Sequence, residues 1–305
     1  MPPELKPNIL LAKSRAKPWR GAYTLVGHTA AVVDAVTTLV DTLGDRLVFQ
    51  FGLNCTFAKL RATVYLAAYL HDWGKANNQF QMMVRHLSDC LEQPQAIRHE
   101  VISILLAWEF REWLQQGEGD FMTAIAAAGG HHLKLGGKAG RCTDELGEIR
   151  PSGDAEIYLY TTHANFKALL KYGVRKLGLA RTLHLSQRPS SYWTILDIKH
   201  RREIILDKFG DWQIDPVFTA VVKSLLVAGD AIGSALPPQG IDVTSWIQKE
   251  VTRTLNESDL QNVVDTRLKG NALRQFQVDL GETIARVTLA RAGWVVLQKR
   301  KKMIG

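Results

Sequence analysis

A histidine and an aspartate, His71 and Asp72, lie side by side in the segment LHDWGKAN (70–77), directly after a long apolar run. Lys75 follows them within the same segment. Imidazole nitrogens and carboxylate oxygens together suit divalent transition metals such as Mn, Fe, Co, Ni and Zn. An aspartate beside a histidine can bridge two such ions while the histidine holds one of them. The pair therefore predicts a metal site, provided that other histidines and acids converge on it.

Further candidate ligands occur along the chain, mostly near the ends of predicted helices: His28, His99, His131, His132 and Asp230. A single histidine of this kind usually caps a helix or lies at the surface. The adjacent imidazoles after Gly129 and Gly130 are harder to explain by structure, because neither helix propensity nor packing asks for such a pair. Two metal ions about 3.5–4 Å apart could activate a water and stabilise the leaving oxygen of a phosphodiester.

Helical patterns dominate the sequence and place these residues. Apolar residues recur at three- and four-residue spacing, with capping residues or glycines at several ends. The predicted helices cover residues 27–44, 56–70, 98–117, 120–130, 215–238 and about 270–293. The helix over 56–70 is apolar on most faces and is predicted to be central. The glycine-rich residues 129–153 predict a surface loop, and within 155–212 only 191–210 has a helical pattern.

Length and composition predict a globular cytoplasmic protein. The 305 residues allow one large domain or two ordinary ones. No uninterrupted apolar run is long enough to span a bilayer, and the proline-containing basic N-terminus does not resemble a signal peptide. Three separated cysteines, Cys55, Cys90 and Cys142, form no CxxC pair, which argues against a zinc knuckle or a disulfide framework. No membrane partner is predicted.

The net charge of +8 favours polyanionic partners, with nucleic acid first and an anionic membrane second. Basic residues cluster near the start of the chain, at Lys13, Arg15, Lys17 and Arg20, and again in QKRKK (298–302). Such segments would attract a phosphate backbone, and binding would depend strongly on salt.

The order of the candidate ligands resembles the HD superfamily of metal-dependent phosphohydrolases. Within that superfamily, HDWGKANNQF (71–80), RHE (98–100) and GGHH (129–132) resemble the HD nuclease domain of the CRISPR-associated helicase-nuclease of type I systems. The resemblance covers roughly residues 20–240, and the ordered set of motifs is specific where any single one is weak. It implies an all-α bundle in which ligands converge from helix ends.

The resemblance implies a two-metal site and assigns its residues. One ion would be held by His28, His71, Asp72 and Asp230, and the second by Asp72, His99, His131 and His132. Lys75 would donate to the scissile phosphate or to the attacking water, so Asp72 and Lys75 are the expected catalytic residues. Mn, Co, Ni or Fe would suit such a site best, and Zn is an alternative.

One ligand has alternatives, because residues 133–215 show little pattern. Asp197, Asp207 or Asp215 could supply the last acid in place of Asp230, although AGDAIGSA (228–235) resembles the family motif best. The remaining histidines are expected to be structural or at the surface: His86, His163, His184 and His200. Trp73 is a candidate for stacking on a nucleic-acid base, or a core residue.

The implied activity is hydrolysis of DNA phosphodiester bonds, preferably in single strands. A separate helicase subunit or the RNA-guided Cascade surveillance complex would be the partner. One alternative is an HD phosphohydrolase that acts on small nucleotides. A second, from a different class, is a non-catalytic adaptor that binds nucleic acid.

The predicted domain organisation has an HD nuclease domain over 1–245 and a distinct C-terminal segment over 246–305. In that segment, NALRQFQVDL (271–280) resembles the opening of a helicase domain. The residues that follow contain no GxxxxGK[ST] phosphate loop, so no ATP hydrolysis is expected from this chain. An alternative is that 256–293 is a C-terminal helix packed on the bundle. The residues after about 245 are expected to be the least ordered.

Overall fold

The computed structural model describes residues 7–14, 21–85, 95, 97–132, 156–181, 183, 185 and 187–251. The chain divides into two compact units, Met1–Thr252 and Arg253–Gly305, and the second lies outside the described residues. The predictions made for residues 252–305, including the helix over 270–293, therefore fall outside them. So do most of the predicted loop over 129–153 and two of the remaining histidines, His86 and His184.

The described residues are mostly helical and contain one two-stranded sheet, which confirms the predicted all-α class. The helices are α1 (Leu25–Gln50), α2 (Phe57–Leu70), α3 (Asn78–Met83), α4 (His99–Glu109), α5 (Arg111–Leu114), α6 (Phe121–Gly129), α7 (Ala164–Leu177), α8 (Ile195–Asp211), α9 (Pro216–Ala235) and α10 (Val243–Glu250). Two short strands, β1 (Ile157–Tyr158) and β2 (Tyr192–Trp193), pair antiparallel, with Ile157 opposite Trp193.

The core of the bundle forms where α1, α2, α6 and α9 pack on one another. As its apolar sequence predicts, α2 is central, and every residue from Thr63 to Leu70 is buried. The predicted helices over 27–44, 56–70, 120–130 and 215–238 correspond to α1, α2, α6 and α9. Helix α10 runs through the predicted domain boundary at 245 and packs on α1.

Small residues in α9 allow it to approach α1 closely. A Cβ on Gly229 would lie 2.2 Å from Val36 Cγ2, and one on Gly233 would lie 2.9 Å from the backbone nitrogen of Val32. Real Cβ atoms do not approach other atoms this closely, so these positions need glycine. The close approach brings Asp230 of α9 beside His28 of α1.

Two helix boundaries differ from the predicted ones. Helix α1 continues past Gly44 to Gln50. Gly44 is a packing residue rather than a helix end, since a Cβ there would lie 2.5 Å from the Phe57 ring. The predicted helix over 98–117 is divided into α4 and α5 at Phe110, whose buried ring packs against Trp73. Tertiary contacts decide both boundaries, which is why the local pattern does not reveal them.

One helix of the described residues, Pro216–Gln239, is long and apolar enough to cross a membrane by length and composition. It was not predicted as a candidate because Lys223 and Asp230 interrupt its apolar run. Here it packs against α1, α2 and α6, and it carries a candidate ligand. Core helices meet the same criterion, so this is weak evidence for a membrane span and none is indicated.

Candidate metal centre

All the predicted ligands lie together at one end of the central helices: His28, His71, Asp72, His99, His131, His132 and Asp230. His28 lies in the first turn of α1, whose end is capped by the side chain of Thr24. His71 and Asp72 directly follow α2, and His99 is the first residue of α4. The adjacent imidazoles follow α6, and the acid lies within α9. Ligands therefore converge mainly from helix ends, as expected.

The carboxylate of Asp72 lies at the centre of the cluster and faces two groups of ligands. Its Oδ2 atom is 3.0 Å from His28 Nε2 and 3.3 Å from His71 Nε2. Its Oδ1 atom is 3.3 Å from His99 Nε2 and 4.0 Å from His131 Nε2. One oxygen thus faces each group, which is the geometry that a bridging ligand requires.

We call the two groups the first half and the second half of the site. The first half consists of Asp72 Oδ2 with His28, His71 and Asp230, and the second of Asp72 Oδ1 with His99, His131 and His132. In the first half, Asp230 Oδ1 is 3.3 Å from His28 Nε2 and 3.8 Å from His71 Nε2. Within each set of three side chains besides Asp72, the nearest ligand atoms lie within 4.8 Å of one another.

The donor atoms of this cluster fit divalent metal ions. Several of them are buried and have no hydrogen-bond partner among the described residues: Asp72 Oδ1 and the Nε2 atoms of His71, His99 and His131. Buried polar atoms are almost always hydrogen-bonded, because an unsatisfied one costs free energy. A group of unsatisfied nitrogens that faces a carboxylate oxygen is the arrangement that cations such as Mn, Fe, Co, Ni or Zn satisfy.

The helix ends also orient the imidazoles. His71 Nδ1 lies 2.7 Å from the carbonyl oxygen of Ala68, and His131 Nδ1 lies 2.5 Å from that of Ala128. The last carbonyls of a helix have no partner within the helix. A histidine that follows the helix can donate its Nδ1–H to one of them, which turns Nε2 toward the cluster. Hydrogen bonds of this kind fix the tautomer of metal-binding histidines.

Comparison with known proteins identifies the family. The family model described as "Cas3, HD domain" matches residues 11–235. A protein of Myxococcus xanthus (strain DK1622), described as "Putative CRISPR-associated nuclease/helicase Cas3", is 34% identical over 304 aligned residues. The chain belongs to the Cas3 HD domain family.

The alignment covers 93% of this chain but 38% of that relative. Family membership places the chain in a CRISPR-associated HD nuclease family, and HD domains bind divalent metals. The predicted resemblance to the HD nuclease domain of the CRISPR-associated helicase-nuclease is therefore confirmed.

In this Cas3 HD domain the two halves differ in their electrostatics. Burial opposes charge on His71, but the carboxylates of Asp72 and Asp230 outweigh it and raise the pKa of the imidazole above 6.5. Burial likewise opposes charge on Asp72, yet His71, Lys75 and His28 hold its pKa well below its usual value. In the second half, burial lowers the pKa of His131 to about 3. Without metal, His71 therefore holds a proton more readily than His131 does.

Lys75 lies against the bridging carboxylate. The residues Trp73–Lys75 form a turn of 3-10 helix directly after Asp72, and Lys75 Nζ is 2.6 Å from Asp72 Oδ2. The lysine side chain is 10% exposed, so the ammonium is largely desolvated. In this position it can reach a group bound at the cluster, as the sequence prediction requires.

Gly74 is required for the approach of α4 to this turn. A Cβ on Gly74 would lie 2.0 Å from the carbonyl oxygen of His99. The Gly74 N–H donates to Ser103 Oγ at 2.7 Å, and the Ser103 hydroxyl donates to the carbonyl of His71 at 2.9 Å. Ser103 thereby joins α4 to the His71–Asp72 pair and fixes the distance between the two halves. It was not predicted, because only the fold brings residue 103 to residue 74.

Glu100 is a further residue that the sequence prediction missed. It is 2% exposed, and its Oε2 atom lies 3.3 Å from His99 Nδ1. Its other oxygen, Oε1, accepts from Arg98 Nη2 at 2.7 Å. A carboxylate beside the second nitrogen of a ligand histidine orients the ring. The motif RHE (98–100) indicates this arrangement, because Arg98 and His99, the two partners of Glu100, directly precede it in the chain.

Two other expectations have clear outcomes. Trp73 is fully buried among Tyr69, Phe110 and Phe166, so it is a core residue and the stacking role is wrong. His163 caps α7 through the N–H of Asn165, which makes it structural.

The remaining candidates also lie away from the cluster. His200 is an exposed residue of α8. Among the alternative acids, Asp197 caps α8 in a capping box with Thr194, Asp215 caps α9, and Asp207 is exposed on α8.

A separate cleft lies away from the metal centre. This cleft, of about 640 Å³, lies beside the first turns of α2, where Phe57 and Arg61 line it, and it contains none of the clustered ligands. The convergence of donor atoms, rather than the volume of a cavity, carries the assignment.

Proposed function

We propose that this chain is a metal-dependent deoxyribonuclease that hydrolyses phosphodiester bonds, preferably in single-stranded DNA, during type I CRISPR interference. The observation that carries the proposal is the position of Asp72, with one carboxylate oxygen facing each group of ligands. Sites with two adjacent metal ions stabilise both the attacking and the leaving oxygen of a phosphoryl displacement. A net charge of +8 agrees with a polyanionic substrate.

The proposed roles follow from the geometry. In the first half, His28, His71 and Asp230 would hold one ion together with Asp72. In the second half, the three remaining histidines and Asp72 would hold the other. When bound, two such ions supply a nucleophilic water at neutral pH and neutralise charge on the phosphate. Mn, Co, Ni or Fe would suit these ligands best, with Zn as an alternative.

Lys75 is the proposed hydrogen-bond donor to the reacting groups. Its ammonium is held 2.6 Å from Asp72 Oδ2, so a phosphate bound at the bridging carboxylate would lie within its reach. In a largely desolvated position, a hydrogen bond from a cation to a developing negative charge is stronger than it would be in water. Lys75 would therefore donate to a non-bridging oxygen of the scissile phosphate or orient the attacking water.

The proposal extends to domains and partners. Residues 1–245 would form the nuclease domain, and 246–305 would form a segment that resembles the start of a helicase domain. The sequence has no GxxxxGK[ST] phosphate loop, so we expect no ATP hydrolysis by this chain. A helicase subunit or a Cascade-type surveillance complex would deliver the displaced strand in the cytoplasm.

The test is cleavage of circular single-stranded DNA by metal-stripped protein, with Mn, Co, Ni, Zn and Mg each added back. Asp72→Ala should lower the cleavage rate by more than about 100-fold, because both ions share this residue. Loss of a residue that only orients a ligand typically costs about 10–100-fold. Asp211→Ala, at an exposed position of α8, is the matched control and should cleave normally. Circular dichroism should show that both variants keep their helices.

Two outcomes would contradict the proposal. Hydrolysis of free nucleotides without nicking of circular DNA would favour the small-nucleotide phosphohydrolase. Nucleic-acid binding without metal uptake or cleavage would favour the non-catalytic adaptor.

A further inference from the structure

The first described residues, 7–14, form a segment that we call the N-terminal strap. It pairs with the chain just before and within the first turn of α1: Leu25 N–H donates to the carbonyl of Leu10 at 2.8 Å, and Ala12 N–H donates to that of Tyr23 at 2.9 Å. Leu10, Leu11 and Ala12 are buried. The strap is therefore an ordered part of the domain, and Lys13, which follows Ala12, has a defined position within it.

Gln81 fixes the strap relative to the metal centre. Its buried side chain accepts from Leu11 N–H at 2.9 Å and donates to the carbonyl of Leu11 at 2.8 Å. The same amide nitrogen lies 2.8 Å from the carbonyl oxygen of Lys75. One side chain thus connects the strap to the residue that lies against Asp72.

Lys13 extends from the strap toward the first half of the site. Its Nζ donates to the carbonyl of Ser234 at 3.1 Å, and the hydroxyl of Ser234 donates to Asp230 Oδ1 at 3.1 Å. Burial lowers the pKa of Lys13 to about 8, while the carboxylate of Asp230 opposes this shift. The charges of Lys75 and Asp72 also act on it, so the ammonium lies within electrostatic reach of both carboxylates of the first half.

The ammonium of Lys13 has hydrogen-bond donors that the described residues do not use. An ammonium has three donors, and the hydrogen bond to Ser234 uses one of them. The described residues provide no hydrogen-bond partner for the other two. A half-buried cation can complete its coordination with water or with an anion, and an anion is favoured because its charge offsets the loss of solvation. Phosphate oxygens are common ligands of such a lysine.

We propose that Lys13 binds a backbone phosphate of the nucleic-acid strand next to the metal centre, as a second cation beside Lys75. The inference rests on the proposed nuclease function for the identity of the strand. Lys75 contacts Asp72, whereas Lys13 lies on the side of Asp230, so the two ammonium groups would contact different phosphates. Lys13 binds and positions the strand, and it takes no part in proton transfer.

Loss of one phosphate contact has a defined signature in salt dependence. For single strands, the slope of log K against log salt changes by about 0.7 for each contact. Lys13→Gln should reduce the slope by about that amount and weaken binding about fivefold at 0.1 M salt. Lys13→Arg, which keeps the positive charge, should restore most of the slope. A purely structural clamp between the strap and α9 would leave the slope unchanged.

The experiment measures binding of a fluorescent oligo-dT strand by anisotropy over a range of salt, with metal-stripped full chain so that no cleavage occurs. Lys208→Gln, at an exposed position of α8, is the control for the loss of one positive charge. An unchanged slope for Lys13→Gln, or the same decrease in the control, overturns the proposal. Should Lys13→Gln not fold, lysine-specific labelling of the wild type decides: protection of Lys13 by the strand supports the proposal, and full labelling overturns it.

Cleavage of circular single-stranded DNA by the wild type, assayed in parallel, separates the two proposals. Cleavage with an unchanged slope for Lys13→Gln means that this inference fails and the proposed function stands. A reduced slope without any cleavage means that Lys13 binds a strand and that the nuclease function fails.

Discussion

The two halves of the metal centre are built in different ways. The imidazoles of the first half, His28 and His71, are 1% and 0% exposed, and they come from helices that pack in the core. In the second half His99 is partly exposed and His132 is exposed, so water reaches this half more readily. The first half has two carboxylates, whereas the second has three imidazoles and shares one carboxylate.

The ligands of the two halves are positioned in partly different ways. Core packing positions the first half, since the glycines of α9 bring Asp230 against α1 whether or not a metal is bound. Helix carbonyls hold one imidazole in each half, His71 and His131, and in the second half Glu100 adds a carboxylate beside His99. We therefore expect the first half to bind its ion more tightly and to exchange it more slowly.

The largest effect should come from substituting a metal ligand, and one ligand of each half is compared in separate variants. His71→Gln should lower metal affinity in the first half by more than about 100-fold, because it removes a fully buried ligand that nothing nearby can replace. His132→Gln should cost less, because solvent water can take the vacated position of an exposed ligand. Calorimetric titration with Mn²⁺ measures both.

His200→Gln, on an exposed position of α8, is the control and should bind as the wild type does. Equal losses for the two ligand variants would show that burial does not set the difference between the halves.

A smaller effect is expected from Glu100→Gln. Outer partners of ligand histidines typically contribute 10–100-fold to metal affinity, so we expect a loss of roughly that size in the second half alone. The amide keeps the size of the side chain but removes the charge beside His99 Nδ1 and the ion pair with Arg98. Two-site metal titration reads each half separately. Glu118→Gln, in the cleft beside α2, serves as the matched control.

An equal loss in both halves would mean that Glu100 acts through the fold rather than through His99. No loss in either half would remove it from the metal centre altogether.

Local patterns predicted the ligands better than they predicted the partners of those ligands. His71 and Asp72 stood out because a strongly apolar helix ends directly before them, whereas Asp230 was assigned through the resemblance of AGDAIGSA (228–235) to the family motif. Both signals lie within a few positions of the ligand. The helical class followed for the same reason, since apolar spacing is itself a local property.

Long-range contacts explain what the sequence did not reveal. Ser103 acts on Gly74, and Gln81 joins Leu11 to Lys75, in each case through the fold. Helix α7 was not predicted although its buried residues Phe166, Leu169 and Tyr172 follow a helical spacing, whereas α8 matches the helical pattern over 191–210. The end of α4 depends on packing around Phe110. Lys13 was noted only as part of a basic cluster, because nothing in its neighbours indicates α9.

The smallest expected effect is a difference in how metal affinity depends on pH. In the metal-free protein the pKa of His71 lies above 6.5, because the carboxylates of Asp72 and Asp230 outweigh burial. Below that pKa an ion must displace a proton, so first-half affinity should fall as pH falls, by up to about tenfold per pH unit. The pKa of His131 is about 3, because burial opposes its charge, so it is neutral throughout this range and requires no such displacement.

Metal titrations at pH 8, 7 and 6 test this expectation, and the affinity of the first half should fall more steeply than that of the second. Imidazole resonances of the metal-free protein provide a direct check. The signal of His71 should shift above pH 6.5, and that of His131 should stay constant down to about pH 4, since protonation there begins only near its pKa of about 3. Parallel titration of the two imidazoles would show that the carboxylates do not divide the site electrostatically. The difference between the halves would then rest on burial alone.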